Sequence, residues 1–234
     1  MINISNEDGI LNDQQDLYDS YNHFIGSSER KVFFKLYMRM RLYDMVKHLH
    51  GDIVECGVFK GYSLLLWLKL MEMSEPNSIK KVIGFDFFGD HFVDSIQNEV
   101  DREAMSQVFS RDSSLDKKEV SRTGIQNKIL NAGIKQSKFD LVEGDVSQTS
   151  RDYIAGRPGF RISLLYLDVD IEEPTYAALN EFWDRVVPGG LVVFDEYAYH
   201  IWSESNAVDK FVKERNLKLM NTNIESPTAY IVRP

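Results

Sequence analysis

The stretch LLYLDVDIEEPTYAALNEFWDRVVPGGLVVFDEY, residues 164–197, decides the fold. Its two apolar runs, at 164–167 and 191–194, are separated by a segment with helical periodicity and by the turn Pro-Gly-Gly. The apolar residues in each run are continuous rather than alternating, which is typical of strands buried on both faces. A strand, a helix and a second strand in this order predict two neighbouring parallel strands.

The same alternation of strand and helix extends over most of the chain. We expect further strands at 52–57, 80–89, 138–145, 217–221 and 228–233, and helices at 29–49, 62–73, 123–134, 174–187 and 207–216. Residues 1–26 look irregular or weakly helical. The pattern predicts an α/β fold, a doubly wound and mostly parallel sheet with helices on both faces and a terminal antiparallel strand pair. We expect one domain over residues 1–234, with an N-terminal helical extension at about 1–50.

The segment at about 90–121 breaks this pattern. It is polar, charged and weakly periodic, and it is longer than an ordinary connection between a strand and a helix. Two interpretations are open: a surface excursion that contains a helix, or an insert that acts as a lid or recognises substrate.

Composition restricts the classes of partner. The 234 residues carry a net charge of -9, whereas proteins that bind phosphate backbones usually have a basic face. The charge therefore disfavours DNA or RNA as a substrate. The basic residues at 35–50 alternate with apolar ones at helical spacing, so we interpret them as the solvated side of an amphipathic helix. No apolar run is long enough to span a membrane. The polar, acidic N-terminus and the single Cys56 favour a cytoplasmic protein.

A glycine loop follows the first predicted strand, in the sequence VECGVFKG at 54–61. Glycine lets the backbone approach a ligand closely, and the next helix offers free N–H groups, so Glu55, Gly57 and Gly61 are candidates for cofactor binding. The spacing differs from the Gly-x-Gly-x-x-Gly that binds a dinucleotide pyrophosphate, which argues against NAD or FAD.

Two further acids follow predicted strands. Asp86 ends the second strand, where a carboxylate can accept both hydroxyls of a ribose. Asp145 follows the third strand and could bind an adenine amino group. The alternative for Asp145 is that it caps the helix that comes next.

Asp168, Asp170, Asp195 and Glu196 follow the two strands of the opening stretch. Because neighbouring parallel strands end at the same edge of a sheet, we expect these four side chains, the acidic cluster, to lie close together. Clustered carboxylates repel one another unless a cation lies among them. Oxygen donors without His or Cys indicate a hard ion, Mg²⁺ first and Mn²⁺ or Ca²⁺ next. The alternatives are that Asp170 caps the helix starting near Pro174 and that Glu196 is only solvated.

Two resemblances connect these motifs to known enzymes. VECGVFKG and IGFDFFG resemble the first two motifs of class I S-adenosylmethionine-dependent methyltransferases. Residues 164–197 resemble the macrocin O-methyltransferase group of metal-dependent sugar O-methyltransferases, and the likeness runs from about 51 to 209. The resemblance implies that Asp168, Asp195 and Glu196 bind Mg²⁺ and that Asp170 is the general base. The chain has Glu196 where the family commonly has Asp.

The resemblance implies S-adenosylmethionine-dependent, divalent-metal-dependent O-methylation of a sugar hydroxyl, on a nucleotide-linked sugar or a natural-product glycoside. Asp168, Asp170 and His200 are then the candidate catalytic residues, His200 because it follows a strand end and could line the substrate pocket. Three alternatives stay open: an NAD-dependent sugar-nucleotide enzyme, a metal-independent methyltransferase for small molecules, and a non-catalytic scaffold. We expect no nucleic-acid or membrane partner. The predicted helix at 29–49 has surplus apolar surface, which favours a homodimer.

Overall fold

A seven-stranded sheet forms the centre of the protein in a computed structural model. The structure describes residues 10–110 and 116–234, with side chains from residue 15 onward. The strands are β1 (Asp52–Cys56), β2 (Val82–Asp86), β3 (Phe139–Glu143), β4 (Ile162–Leu167), β5 (Val186–Phe194), β6 (Met220–Asn221) and β7 (Ala229–Val232). Their spatial order is β3-β2-β1-β4-β5-β7-β6.

The sheet confirms the predicted topology. Strands β1 to β5 pair in parallel, and β7 pairs antiparallel with both β5 and β6. Strands β4 and β5 are neighbours, with Leu167 opposite Phe194 at their carboxyl ends. This register brings the residues after both strands to one edge of the sheet, as the opening stretch predicts.

Helices cover both faces of the sheet, because the buried strands present apolar side chains to each side. They are α1 (Ile10–Gly26), α2 (Arg30–Val46), α3 (Tyr62–Ser74), α4 (Glu99–Ser110), α5 (Lys117–Val120), α6 (Arg122–Asn131), α7 (Val146–Ala155), α8 (Glu172–Phe182) and α9 (Glu204–Arg215). Helices α2, α3 and α6 contribute to the core on one face, and α7, α8 and α9 to the core on the other. Among the described residues, no helix combines the length and apolar character needed to cross a membrane.

Three local features differ from the expectations or add to them. The segment 10–26 is a continuous helix, α1, although its sequence looks irregular or weakly helical. The Pro-Gly-Gly at 188–190 lies inside β5 instead of only ending the preceding helix, and the pairing of β4 with β5 shifts register there. Helix α7 follows Asp145 and fills the connection between β3 and β4.

Candidate active site

A cavity of about 800 Å³ opens at the carboxyl ends of β1, β2 and β4. Its lining comes from the glycine loop, from the ends of β2 and β3, from the start of α8 and from the segment between β2 and α6. Ligands of doubly wound sheets bind at this edge. Among the predicted site residues, those that line the cavity are Gly57, Asp86, Asp145, Asp168 and Asp170.

Asp86 shapes the glycine loop. Its Oδ2 accepts hydrogen bonds from the backbone N–H groups of Val58 at 2.6 Å and Phe59 at 3.1 Å, and its Oδ1 accepts one from Phe88 at 2.7 Å. Gly57 has φ +89°, and an added Cβ would lie 1.8 Å from the backbone oxygen of Asp168. The loop can therefore pass this close to β4 only with glycine at position 57.

Glu55 lies beneath the glycine loop and does not line the cavity. Its side chain is fully buried; Oε2 accepts a hydrogen bond from Trp67 Nε1 at 2.7 Å, and Oε1 accepts one from the Ser63 hydroxyl. Burial raises the pKa of Glu55 to about 7, against the opposing effect of Arg39. In this arrangement Glu55 links β1 to α3, and its direct contact with a cofactor stays a prediction.

Because the pKa of Glu55 is raised, we expect the free energy of unfolding to depend on pH. A carboxyl whose pKa is higher in the folded than in the unfolded state stabilises the fold most below its unfolded pKa, and this stability is lost as the pH rises through about 7. The Glu55 contribution to the free energy of unfolding should therefore rise by about 1–2 kcal/mol from pH 8 to pH 5.5. Thermal unfolding of wild type and Glu55→Gln over this range measures it. An equal pH dependence in the two proteins would contradict the assignment.

Gly61 and Asp145 have local structural roles. Gly61 begins α3 with φ +76°, and an added Cβ would lie 2.8 Å from Cγ2 of Ile125, so its need for glycine comes from packing as well as from the turn. Asp145 caps α7 by accepting a hydrogen bond from the Ser147 backbone N–H at 2.8 Å. The capping interpretation of Asp145 is thus confirmed, and its second oxygen stays compatible with a ligand because the residue also lines the cavity.

Asp195 is the most enclosed member of the acidic cluster, with no exposed surface. Its Oδ2 accepts hydrogen bonds at 2.7 Å from both Lys35 Nζ and Ser226 Oγ, and its Oδ1 accepts one from the Tyr166 hydroxyl. Burial would raise the pKa of Asp195, but the charges of Lys35 and Arg39 outweigh it and hold the pKa below its usual value. Asp195 is therefore an ionised carboxylate that is already bound by the chain itself.

Helix α2 supplies two cations to the acidic cluster. Besides the Lys35 contact, Arg39 places its NH2 group 3.5 Å from Asp168 Oδ2 and 3.6 Å from Asp195 Oδ1. The side chains of Lys35 and Arg39 are only 28% and 11% exposed. The interpretation of this helix as having a solvated basic side is thus wrong for these two residues, because they lie one turn apart over the carboxyl edge of β4 and β5.

The other three acids are less well compensated. Burial and the charge of Asp195 raise the pKa of Asp168 to about 6 and that of Glu196 to about 7. Burial and the neighbouring carboxylates raise the pKa of Asp170 well above its usual value. Two cations do not offset four carboxylates in a buried place, so the acidic cluster favours uptake of protons or of a further cation.

Glu204, at the start of α9, is a fifth acid that the sequence does not single out. It is fully buried, neither carboxylate oxygen has a hydrogen-bond partner, and its backbone N–H donates to the Asp170 backbone oxygen at 3.0 Å. Burial and the charge of Asp170 raise its pKa well above the usual value. A Glu in the first turn of a helix is ordinary in sequence, so no local signal identified it.

His200 lies outside the cavity. Its side chain is exposed, and its ring contacts that of Tyr199 at a centroid distance of 5.3 Å. A catalytic role for His200 has no support from this position, because a catalytic group must come within hydrogen-bond reach of the reacting atoms.

The segment between β2 and α6 covers the cavity. Asp101 of α4 is 2% exposed and accepts hydrogen bonds from the Ser203 backbone N–H at 3.1 Å and from its hydroxyl at 2.5 Å. Phe87 stacks on Phe92 at 4.6 Å, and the Phe92 ring meets Phe109 edge-on at 6.0 Å. The segment thus contains a helix, as one interpretation expected, and it also forms one wall of the cavity.

The residues implied as ligands of a divalent cation have suitable donor atoms, but their side chains are not arranged around a common point. All candidates are carboxylate oxygens, and Glu196 Oε2 is buried without a hydrogen-bond partner, which favours a cation. Asp195, however, is bound to Lys35, Ser226 and Tyr166. Within residues 10–110 and 116–234, no three His, Cys, Asp or Glu side chains converge closely enough to hold a metal ion.

The parallel sheet, the glycine loop pinned by Asp86 and the cavity at the carboxyl edge define a class I methyltransferase fold. The family model "Macrocin-O-methyltransferase (TylF)" matches residues 38–233, and the chain belongs to this family. The match covers helix α2 from Met38 onward and the acidic cluster.

Relatives of known identity agree with the family. The 8-demethyl-8-(2,3-dimethoxy-alpha-L-rhamnosyl)-tetracenomycin-C 4'-O-methyltransferase of Streptomyces olivaceus is 26% identical in an alignment of 156 residues, and the alignment covers 63% of this chain and 53% of that protein. The match thus spans about half the length of that relative.

Solved structures support the fold. CalS11, a TDP-rhamnose 3'-O-methyltransferase of calicheamicin biosynthesis, has a TM-score of 0.63 at 24% identity, over 98% of this chain and 96% of that one. The O-methyltransferase NovP has a TM-score of 0.69 at 22% identity, over 85% and 78%. An O-methyltransferase from Bacillus cereus in complex with SAH has a TM-score of 0.52 at 11% identity, over 99% and 94%.

Proposed function

We propose that the protein transfers a methyl group from S-adenosylmethionine to a hydroxyl of a sugar, on a nucleotide-linked sugar or a natural-product glycoside. The observation that carries the proposal is that Asp168 and Asp170 of the acidic cluster line one cavity with Gly57 of the glycine loop, in a chain that belongs to the macrocin O-methyltransferase family. Family membership and the missing dinucleotide glycine pattern argue against the NAD-dependent alternative.

The cofactor is proposed to bind along the glycine loop and the ends of β2 and β3. Gly57 lets the backbone approach it, Asp86 offers the remaining lone pairs of its carboxylate to the ribose, and Asp145 offers its second oxygen to the adenine. Phe87 follows Asp86 directly and lines the cavity, so its ring supplies an apolar wall for the adenine.

Asp170 is proposed to accept the proton of the sugar hydroxyl. It lines the cavity, its backbone has φ +64°, and its backbone oxygen is fixed by the N–H of Glu204 at 3.0 Å. Such a left-handed conformation is uncommon outside glycine and aims the side chain differently from those of its neighbours. A hydroxyl held between Asp170 and the methyl donor would give its proton to Asp170 as the new O–CH₃ bond forms and the S–CH₃ bond of the donor breaks, which leaves S-adenosylhomocysteine.

A divalent cation, Mg²⁺ first, is proposed to bind beside Asp170, with Asp168, Asp195 and Glu196 as the residues that would hold it. When bound, it lowers the pKa of a substrate hydroxyl that contacts it. The pKa of Asp170, raised well above the usual range in the metal-free protein, supports the proposal, because a base must be ionised and an added positive charge favours ionisation. Metal-independent methyl transfer is the second candidate, favoured by the Lys35 and Arg39 contacts.

The segment 90–121 is proposed to act as a lid that recognises the acceptor. The support is its apolar contact surface, in which Phe92 and Phe109 pack beside Ile171 next to Asp170. Anchoring by Asp101 at Ser203 joins this wall to the start of α9.

The test is transfer of the labelled methyl group of S-adenosylmethionine to a panel of rhamnosides and TDP-sugars, with and without Mg²⁺. Methylation of a sugar hydroxyl that EDTA abolishes would support the full proposal. Methylation that EDTA leaves unchanged would support the metal-independent form. No methylation of any sugar, with transfer to another class of acceptor, would overturn the assignment to sugars.

We further propose that two copies associate through α1 and α2. Large apolar side chains on these helices are exposed, among them Leu17 at 71%, Tyr18 at 65%, Val32 at 56% and Tyr37 at 52%. Surfaces of this kind usually mark an interface. Light scattering is expected to give a mass near twice the 27.1 kDa of one chain, and Tyr37→Glu is expected to reduce it. A monomeric mass for the wild type would contradict the proposal.

A further inference from the structure

Lys35 both lines the cavity and contacts the acidic cluster. It is the one Lys, Arg or His side chain that lines the cavity in the described part of the chain. Its Nζ lies 2.7 Å from Asp195 Oδ2, an oxygen that also accepts the Ser226 hydroxyl. The family resemblance assigns Asp195 to metal binding, so ammonium and metal require the same carboxylate.

The charge of Lys35 acts on the whole cluster. Its ammonium makes a charge-assisted hydrogen bond to Asp195, whose side chain is 1% exposed, and Asp195 shares the Arg39 guanidinium with Asp168. Lys35 therefore provides, from within the chain, the positive charge that the cluster needs.

Arg39 is held differently from Lys35. Its Nε donates to the Tyr166 hydroxyl at 3.1 Å, and its guanidinium lies over the Tyr166 ring at 4.9 Å. It is more buried than Lys35, and it does not line the cavity. A lysine side chain is long, flexible and strongly hydrated, so Lys35 can leave toward solvent while Arg39 stays in place.

We infer that Lys35 is an exchangeable internal cation: its ammonium and a divalent metal compete for Asp195, and metal binds only as Lys35 withdraws. The inference rests on the metal-dependent form of the proposed function. It makes Lys35 a residue that sets metal affinity and limits the negative charge of the empty site.

The first test measures Mn²⁺ affinity by electron paramagnetic resonance without substrate. Lys35→Met is expected to bind Mn²⁺ at least about tenfold more tightly than wild type, because the competitor is gone. Lys35→Arg retains a cation and should not bind more tightly than wild type. The matched control is Lys47→Met, directly after α2, where the side chain is 46% exposed and lies 3.0 Å from Asp44; it should leave the affinity unchanged.

Equal or weaker binding by Lys35→Met overturns the inference. The absence of Mn²⁺ binding in both proteins also overturns it, because removal of Lys35 would then open no metal site. If Lys35→Met does not fold without metal, Lys35→Gln provides the same comparison, because it removes the charge and keeps a hydrogen-bond donor for Asp195. Titration of the same proteins with S-adenosylmethionine distinguishes failure of the proposed function from failure of this inference. If the wild type does not bind S-adenosylmethionine, the proposed function is wrong. If it binds S-adenosylmethionine but Lys35→Met does not bind Mn²⁺ more tightly, only the inference about Lys35 is wrong.

A second readout follows the amine directly. Acetylation of Lys35 by acetic anhydride, quantified by peptide mass spectrometry, should become several-fold faster in saturating Mg²⁺, because metal binding releases the side chain to solvent. Lys47 is the internal reference in the same peptide map and should react equally with and without Mg²⁺. An unchanged or slower rate at Lys35 would show that metal binding does not release the ammonium and would overturn the inference.

Discussion

Asp170→Asn is expected to reduce kcat for methyl transfer about 100- to 10,000-fold, the usual contribution of a general base. Asparagine has nearly the same shape as aspartate but cannot take up the proton of a sugar hydroxyl. The fold should tolerate the change, because burial and neighbouring carboxylates already favour the uncharged form of Asp170. Binding of S-adenosylmethionine, measured by calorimetry, should remain within about twofold of wild type because the cofactor residues are untouched.

The matched control for Asp170→Asn is Asp184→Asn, at an 88% exposed acid before the start of β5, at the opposite end of this strand from Asp195. It should leave kcat and cofactor binding unchanged. Retention of more than a tenth of wild-type kcat by Asp170→Asn would exclude Asp170 as the base. Parallel loss of cofactor binding would instead indicate a structural role for the residue.

Gly57→Ala is expected to destabilise the fold by at least ~3 kcal/mol and to prevent cofactor binding. The added Cβ would lie 1.8 Å from the Asp168 backbone oxygen, so β1 and β4 would have to move apart where they line the cavity. The positive φ of +89° adds a cost of roughly 1–2 kcal/mol for a residue with a side chain. Urea unfolding at constant pH measures the loss.

Gly133→Ala is the control that distinguishes the steric clash at Gly57 from the free-energy cost of placing a side chain at positive φ. Gly133 has a similar φ of +85°, but an added Cβ there would meet nothing within 4 Å. We expect Gly133→Ala to lose only about 1 kcal/mol and to keep full cofactor binding. Equal destabilisation by the two substitutions would show that the close approach of Gly57 to Asp168 does not contribute to the loss of stability.

The sequence predicts the fold and the edge that carries the site because both depend on patterns that are local in the chain. Continuous apolar runs identify β4 and β5, and the single helix between them makes the strands neighbours. That adjacency is enough to bring Asp168 and Asp195 together. The glycine loop before α3 is predicted for the same reason, since its strand, turn and helix are consecutive.

The residues that contact Asp195 and Asp170 cannot be predicted in this way, because they come from segments that are distant in the sequence. Lys35 and Asp195 are far apart in sequence, and basic residues one turn apart on a helix usually mark a solvated side. Their burial comes from the docking of α2 against β4 and β5. The position of Glu204 beside Asp170 depends in the same way on how α9 returns to the sheet edge.

Binding of S-adenosylmethionine in the cavity is tested by calorimetric titration of the purified protein with this cofactor and, separately, with NAD. We expect one S-adenosylmethionine per chain, with a Kd in the micromolar range, no binding of NAD, and loss of cofactor binding in Gly57→Ala but not in Gly133→Ala. Binding of NAD without binding of S-adenosylmethionine would contradict the account.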